Sequence, residues 1–174
     1  MSQSKRVTLA GLFLALAIVF QLLGRSFPDL SRWIVGPLIN LLLLLTIWYC
    51  GGRYGYLLAS LTPIMAWLVG QLNPVLAPFI PFIIVGNLLY ILPFDLLRNH
   101  LPGRIMGMVT GSVLKFFFLS ASVRYLLPVL NLGIPPKVQA NMATAFGTVQ
   151  LVAALIGGVI ALIVIHMLDK RVRL

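Results

Sequence analysis

Six long apolar stretches, separated by short polar connections, limit what this chain of 174 residues can fold into. Each stretch is close to or above the roughly 20 residues with which an α-helix crosses the hydrocarbon core of a bilayer. A single soluble domain of this size could not bury so many leucine, isoleucine, valine and phenylalanine side chains. The pattern therefore predicts six membrane helices, at about residues 7–24, 34–50, 54–70, 78–97, 105–128 and 138–168.

The expected fold is a compact all-α bundle that forms one domain over residues 1–174, because every connection between the stretches is short. Strands of a membrane barrel would alternate polar and apolar residues, and these stretches do not. Six crossings place both termini on the same side of the membrane. That side carries the basic residues Lys5, Arg6, Arg53, Arg98, Arg104, Lys170, Arg171 and Arg173, against Arg25, Arg32, Arg124 and Lys137 opposite. The positive-inside rule then predicts cytoplasmic termini, and topology explains the net charge of +10 better than nucleic-acid binding does.

Lys115 lies in the middle of the fifth apolar stretch. An ammonium group at bilayer depth costs about 3 kcal/mol on insertion scales, so it needs a partner, a wet cavity or a ligand. Asp95 is an alternative partner, but it is expected near the cytoplasmic end of its helix. Lys115 therefore predicts a polar site inside the bundle.

Other polar side chains are expected at a similar depth, in the outer half of the bundle. Asn40 and Asn87 each lie within a predicted helix and need a partner there. On the fifth helix, Ser112, Lys115 and Ser122 fall within an arc of roughly 80° at about 100° per residue. The same arithmetic places Asn141, Thr144 and Thr148 on one face of the sixth helix.

These positions predict a binding pocket with an apolar wall that includes Trp67 and an outer loop that contributes Asn73. The predicted substrate-binding residues are Lys115, Asn87, Asn40, Asn73, Ser112, Asn141, Thr144 and Trp67. For each amide, the alternative is a hydrogen bond between helices, worth about 1 kcal/mol, that only holds the bundle together.

The residue types that catalysis needs are scarce. The chain has three carboxylates, Asp29, Asp95 and Asp169, at different predicted depths, and these form no pair for general acid and base chemistry and no cluster for a divalent metal. The single cysteine, Cys50, has no nearby ligand with which to bind zinc. We therefore expect no enzymatic activity, no metal and no cofactor.

Four segments carry a resemblance to a known family: residues 7–17 (VTLAGLFLALA) after a basic N-terminus, 36–40 (GPLIN), 78–87 (PFIPFIIVGN) and 112–116 (SVLKF). With six spans in this length, the whole chain resembles the substrate-binding S component of an energy-coupling factor (ECF) transporter, a type of ABC transporter. The resemblance implies capture of a vitamin or related micronutrient from outside a prokaryotic cell. It further implies a substrate site beneath the outer loops and among the last three helices.

The resemblance also implies partners: a transmembrane coupling protein and two ATPase subunits, which form a separate energising module in the cell membrane. Members of the family meet the coupling protein through an Ala-x-x-x-Ala pattern on the first helix. The matching residues here are Gly11 and Ala15, so the first position departs from the pattern but remains small.

Two other functions stay open from the residues alone. A structural or assembly subunit of a membrane complex would use the polar residues as contacts between helices and would bind no small molecule. A membrane-embedded enzyme is disfavoured by the shortage of carboxylates. Within the transporter interpretation, Lys115 favours a substrate with a carboxylate, phosphate or electron-rich carbonyl group.

Overall fold

The computed structural model describes residues 2–27, 31–130 and 133–172, and within these ranges the chain is helical with no strand. Asp29 and Arg173, which entered the sequence analysis, lie outside the described residues. The predicted all-α fold is confirmed. The helices are α1 (Gln3–Ser26), α2 (Gly36–Cys50), α3 (Gly52–Leu68), α4 (Ile80–Leu97), α5 (Leu101–Ala121), α6 (Pro136–Ala145) and α7 (Thr148–Val172).

Short irregular helical turns lengthen several of these elements. A π-helical turn, Ser31–Val35, leads into α2, and a 3₁₀ turn, Pro74–Phe79, leads into α4. A second π-helical turn, Ser122–Leu126, carries α5 on into the helical turn Leu127–Leu130. Among the described residues, five segments are long and apolar enough to cross a membrane: Gln3–Ser26, Trp33–Cys50, Pro74–Leu97, Leu101–Leu130 and Pro136–Asp169.

The span expected at about residues 54–70 is not among these five. It corresponds to α3, which has 17 residues and so lies at the short end of the range for membrane helices. The last stretch is not one continuous helix as expected. It divides at Phe146 and Gly147 into α6 and α7. Asn141 and Thr144 therefore lie on a different helix from Thr148, and the prediction that the three share one helix face is wrong.

Helix α2 lies at the centre of the bundle, with Leu42–Leu45 and Ile47 buried and with α1, α3 and α7 packed around it. Small residues allow close approach between neighbouring helices. A Cβ atom at Gly157 of α7 would overlap the carbonyl oxygen of Pro37 on α2. A Cβ atom at Gly111 of α5 would likewise overlap the carbonyl oxygen of Tyr90 on α4. The small residues of α7 thus serve packing inside the bundle.

The charged groups that have charged partners lie near the end of the bundle where α2 ends and α3 begins. Asp95 pairs with Arg98 at 3.2 Å and accepts a hydrogen bond of 3.0 Å from the Tyr56 hydroxyl. Asp169 lies 3.7 Å from Arg104, whose guanidinium stacks over the Trp48 ring at 3.9 Å from the centroid. Asp95 is therefore engaged away from Lys115, and the alternative Asp95–Lys115 pair does not form.

Candidate functional site

A cavity of about 240 Å³, the inner cavity, lies between α1, α2, α3, α4, α5 and the start of α7. This volume is somewhat below the range of about 300–1,000 Å³ typical of pockets for drug-sized ligands, so the cavity suits a smaller molecule. Apolar side chains form most of its wall. The polar side chains that line it are Gln21, Asn40, Thr62, Gln71, Asn87, Lys115 and Gln150.

Lys115 and Asn40 form the first polar contact of this cavity. Their exposed fractions are 2% and 1%, and Lys115 Nζ donates a hydrogen bond of 2.8 Å to Asn40 Oδ1. Nζ also lies 5.3 Å from the centroid of the Tyr90 ring, within the distance of a cation–π interaction. No carboxylate contacts Lys115 in the part of the chain that the structure describes. Because a lysine amino group has several N–H bonds, hydrogen-bonding capacity remains for a ligand.

The Asn87 side chain donates a hydrogen bond to a backbone carbonyl of α3 that lacks its usual intrahelical N–H donor because of a proline. Pro63 lies inside α3 and has no N–H, so it cannot donate to the carbonyl oxygen of Ala59 one turn earlier. Asn87 Nδ2 donates to that oxygen at 3.2 Å and also lies 3.5 Å from Thr62 Oγ1. The proline therefore creates the contact that orients the Asn87 side chain.

Gln21 of α1 was not among the predicted site residues. It is 2% exposed, and its Nε2 donates a hydrogen bond of 2.9 Å to the carbonyl oxygen of Thr62. Its Oε1 is buried without a hydrogen-bond partner among the described residues. The sequence signal that could have identified Gln21 was a polar amide within the first apolar stretch. In the structure, Gln21 shares a buried face of α1 with Ala17 and Gly24.

Asn73 and Asn141 lie in a second, outer cavity of about 570 Å³. Asn73 Oδ1 accepts a hydrogen bond from the Val75 N–H at 3.0 Å and so caps the 3₁₀ turn before α4. Asn141 is an exposed residue of α6. The outer cavity adjoins the inner one, because Gln71, Leu72, Ala145 and Phe146 line both.

The other predicted site residues line neither cavity. Ser112 is fully buried, and its hydroxyl donates to the carbonyl oxygen of Met108 one turn earlier at 2.8 Å. Thr144 is exposed on α6, and Trp67 is 38% exposed near the end of α3. A role for these three in substrate binding stays a prediction. Gly11 and Ala15, the predicted partner contacts, are exposed on α1.

The inner cavity thus combines neutral amides, one hydroxyl and one lysine, with no carboxylate in its described wall. Within the described ranges, no group of three or more His, Cys, Asp or Glu residues is arranged to hold a metal ion. Such a wall suits the reversible binding of a small molecule through hydrogen bonds.

A family model described as "ECF transporter, substrate-specific component" matches residues 5–168, nearly the whole chain. Neither the curated proteins nor the solved structures contain a match to the chain.

We predict that Asn87→Leu lowers the stability of the protein by about 1–3 kcal/mol, because it leaves the buried carbonyl oxygen of Ala59 with only the longer hydrogen bond of 3.4 Å from the Thr62 hydroxyl. Pro63→Ala restores an N–H that reaches this oxygen within the helix. Pro63→Ala should therefore stabilise the Asn87→Leu protein more than it stabilises the wild type. Thermal unfolding of the four proteins in detergent gives the interaction energy of this double-mutant cycle. An equal effect of Pro63→Ala in both backgrounds would show that Asn87 does not substitute for the missing N–H.

Proposed function

We propose that this chain, which belongs to the family of ECF transporter substrate-specific components, captures a vitamin or related micronutrient outside the cell for ATP-driven uptake. The observation that carries the proposal is the inner cavity, in which the buried pair of Lys115 and Asn40 faces neutral amides from α1 and α4. A buried lysine without a carboxylate partner is costly in a membrane helix, so its presence indicates a function. Substrate binding supplies that function.

The chemistry of the cavity supports a substrate with a hydrogen-bond acceptor. Lys115 Nζ makes one hydrogen bond, to a neutral amide, among the described residues. An oxygen of a carboxylate, phosphate or carbonyl group placed beside Nζ gains more in this environment than it would in water, because the surrounding dielectric is low. Lys115, Asn40 and Asn87 are the substrate contacts that this geometry supports best. Asn73 and Asn141 are proposed as contacts along the route through the outer cavity.

The position of the outer cavity supports entry of the substrate from outside the cell. The outer cavity is lined by Gly24 and Arg25 at the C-terminal end of α1, so it lies at the opposite end of α1 from the chain terminus. With the termini in the cytoplasm of a prokaryotic cell, as the basic residues favour, this cavity faces outward. A reporter enzyme fused to the C-terminus measures the orientation, and reporter activity outside the cell would contradict it.

The proposed partners are a transmembrane coupling protein and two ATPase subunits. Gly11 and Ala15 are exposed on α1, and a Cβ atom at Gly11 would meet no atom within 4 Å. Small residues four apart allow another helix to approach closely. We propose that this face of α1 binds the coupling protein and that the single domain itself hydrolyses no ATP.

We predict that Ala15→Trp abolishes copurification with the coupling protein, because the indole keeps the partner helix away from α1. Val109→Trp, an equivalent change at an exposed position of α5, should leave copurification intact. Coexpression with an energising module and affinity capture of this chain provide the measurement. Full recovery of the module with Ala15→Trp would place the interface elsewhere.

We predict that the chain, purified alone from cells grown in rich medium and then denatured, releases one small molecule in nearly stoichiometric amount. Lys115→Met should weaken binding of that molecule by at least about tenfold, since a ligand hydrogen bond in a buried site is worth this much, and less of it should stay bound through purification. Lys137→Met removes an exposed lysine of α6 and should release as much as the wild type. Mass spectrometry identifies and counts the molecule, and circular dichroism checks that each variant is folded.

A repeated blank in medium supplemented with vitamins would contradict the transport function and favour a structural subunit of a membrane complex. An unchanged amount from folded Lys115→Met protein would instead contradict only the assignment of the site.

A further inference from the structure

We infer that Gln21 is a specificity-determining residue that binds a hydrogen-bond donor of the ligand, and that the ligand is a small cyclic amide or ureide. The inference rests on the proposed function, because it concerns the same inner cavity. It starts from a buried acceptor, Gln21 Oε1, that has no partner in the described parts of the chain.

The orientation of the Gln21 amide follows from its contact with α3. Nε2 lies 2.9 Å from the carbonyl oxygen of Thr62 and donates to it. Exchanging the two ends of the amide would place Oε1 against that carbonyl, and two acceptors repel each other at this distance. The side chain therefore keeps its NH₂ group on α3 and leaves Oε1 without a donor. A buried acceptor in this state is rare in proteins and requires an explanation.

Asn87 repeats the arrangement one helical turn away. Its Nδ2 donates to the carbonyl oxygen of Ala59, three residues before Thr62. The same repulsion excludes the exchanged orientation, so Asn87 Oδ1 is also left as an acceptor, and no described hydrogen bond uses it. Two amides, from α1 and α4, are thus tied to α3 by their donors and present acceptors.

The contact between Lys115 and Asn40 has the complementary character. Asn40 Oδ1 accepts from Lys115 Nζ, so the unused groups of this pair are donors: the remaining N–H bonds of Nζ and the NH₂ group of Asn40. Lys115 and Asn40 come from α5 and α2, whereas the acceptors come from α1 and α4. The residues that line the cavity therefore have unused donors on one pair of helices and unused acceptors on another.

Charge and size narrow the class of ligand. The described wall of the cavity contains no carboxylate, so a cationic ligand would have no counter-ion, and the donor of the ligand is best supplied by a neutral N–H group. An amide or ureide ring carries neutral N–H and C=O groups side by side, which matches acceptors and donors in one cavity. A volume of about 240 Å³ accommodates one or two rings.

The experiment measures the affinity of the full chain, in detergent and after extensive dialysis has removed the copurified compound, for uracil, thymine and 1,3-dimethyluracil. Uracil and thymine have both ring N–H groups, and thymine controls for the bulk of a methyl group. The dimethyl compound keeps the carbonyl oxygens but has no N–H. We expect the wild type to bind uracil and thymine at least about tenfold more tightly than 1,3-dimethyluracil, because the latter leaves the acceptors of Gln21 and Asn87 unpaired.

Gln21→Met tests the residue itself. It should reduce this preference to within about twofold, because methionine has no carbonyl oxygen at that position. Gln139→Met is the matched control: Gln139 Nε2 also donates to a backbone carbonyl, that of Ile134, at 2.8 Å, but its side chain lines neither cavity. Gln139→Met should keep the wild-type preference.

Melting temperatures separate binding from a structural role. Gln21→Met removes an unpaired acceptor together with the hydrogen bond from Nε2 to the Thr62 carbonyl, so the ligand-free variant should melt close to the wild-type temperature. A lower melting temperature, with affinities for all three probes reduced equally, would overturn the inference. If Gln21→Met does not fold, the wild-type preference decides alone, and equal binding of uracil and 1,3-dimethyluracil overturns it.

The outcome is distinguishable from failure of the proposed function. If the wild type releases a bound compound on denaturation but binds none of the three probes, substrate capture stands and this inference is wrong. If it releases nothing and binds none of them, both are wrong.

Discussion

The hydrogen bond from Lys115 to Asn40 is the interaction on which the site depends. It joins α5 to α2, the helix around which the bundle is packed, through two residues that are almost completely buried. Groups buried this deeply are satisfied by protein or by ligand, because hydrocarbon offers no hydrogen bonds. Neutral Asn40 accepts one hydrogen bond from the Lys115 amino group, whereas a carboxylate would also have balanced its charge. The remaining donors are what make the cavity a candidate binding site.

Pro63 of α3 helps to position a polar side chain in the same cavity. A proline inside a helix removes one backbone hydrogen bond, and in a membrane the freed carbonyl must find another donor. In α3, Pro63 frees the carbonyl of Ala59, and Asn87 of α4 takes it. The loss of a hydrogen bond within one helix thus becomes a contact between two helices, and it also sets which end of the Asn87 amide is available to a ligand.

Hydropathy alone predicted the helices, since apolar length is what a bilayer selects. Burial cost led to Asn40, Asn87 and Lys115, which line one cavity. The prediction that Asn141 and Thr148 share one helix face failed because the last apolar stretch is not a single helix. It divides at Phe146 and Gly147 into α6 and α7, so the two residues lie on different helices. Gln21 was missed because its oxygen becomes a free acceptor only when its NH₂ group donates to the carbonyl of Thr62. That contact joins residues 41 positions apart in the sequence. Single-residue patterns carry no such information.

The most direct test of substrate capture in the inner cavity is a crystal structure of the full chain as purified, with the compound that it carries. We expect density for one small molecule in the inner cavity, with an acceptor atom within hydrogen-bond distance of Lys115 Nζ and a donor beside Gln21 or Asn87. A compound bound elsewhere, with Lys115 still paired only to Asn40, would contradict this expectation.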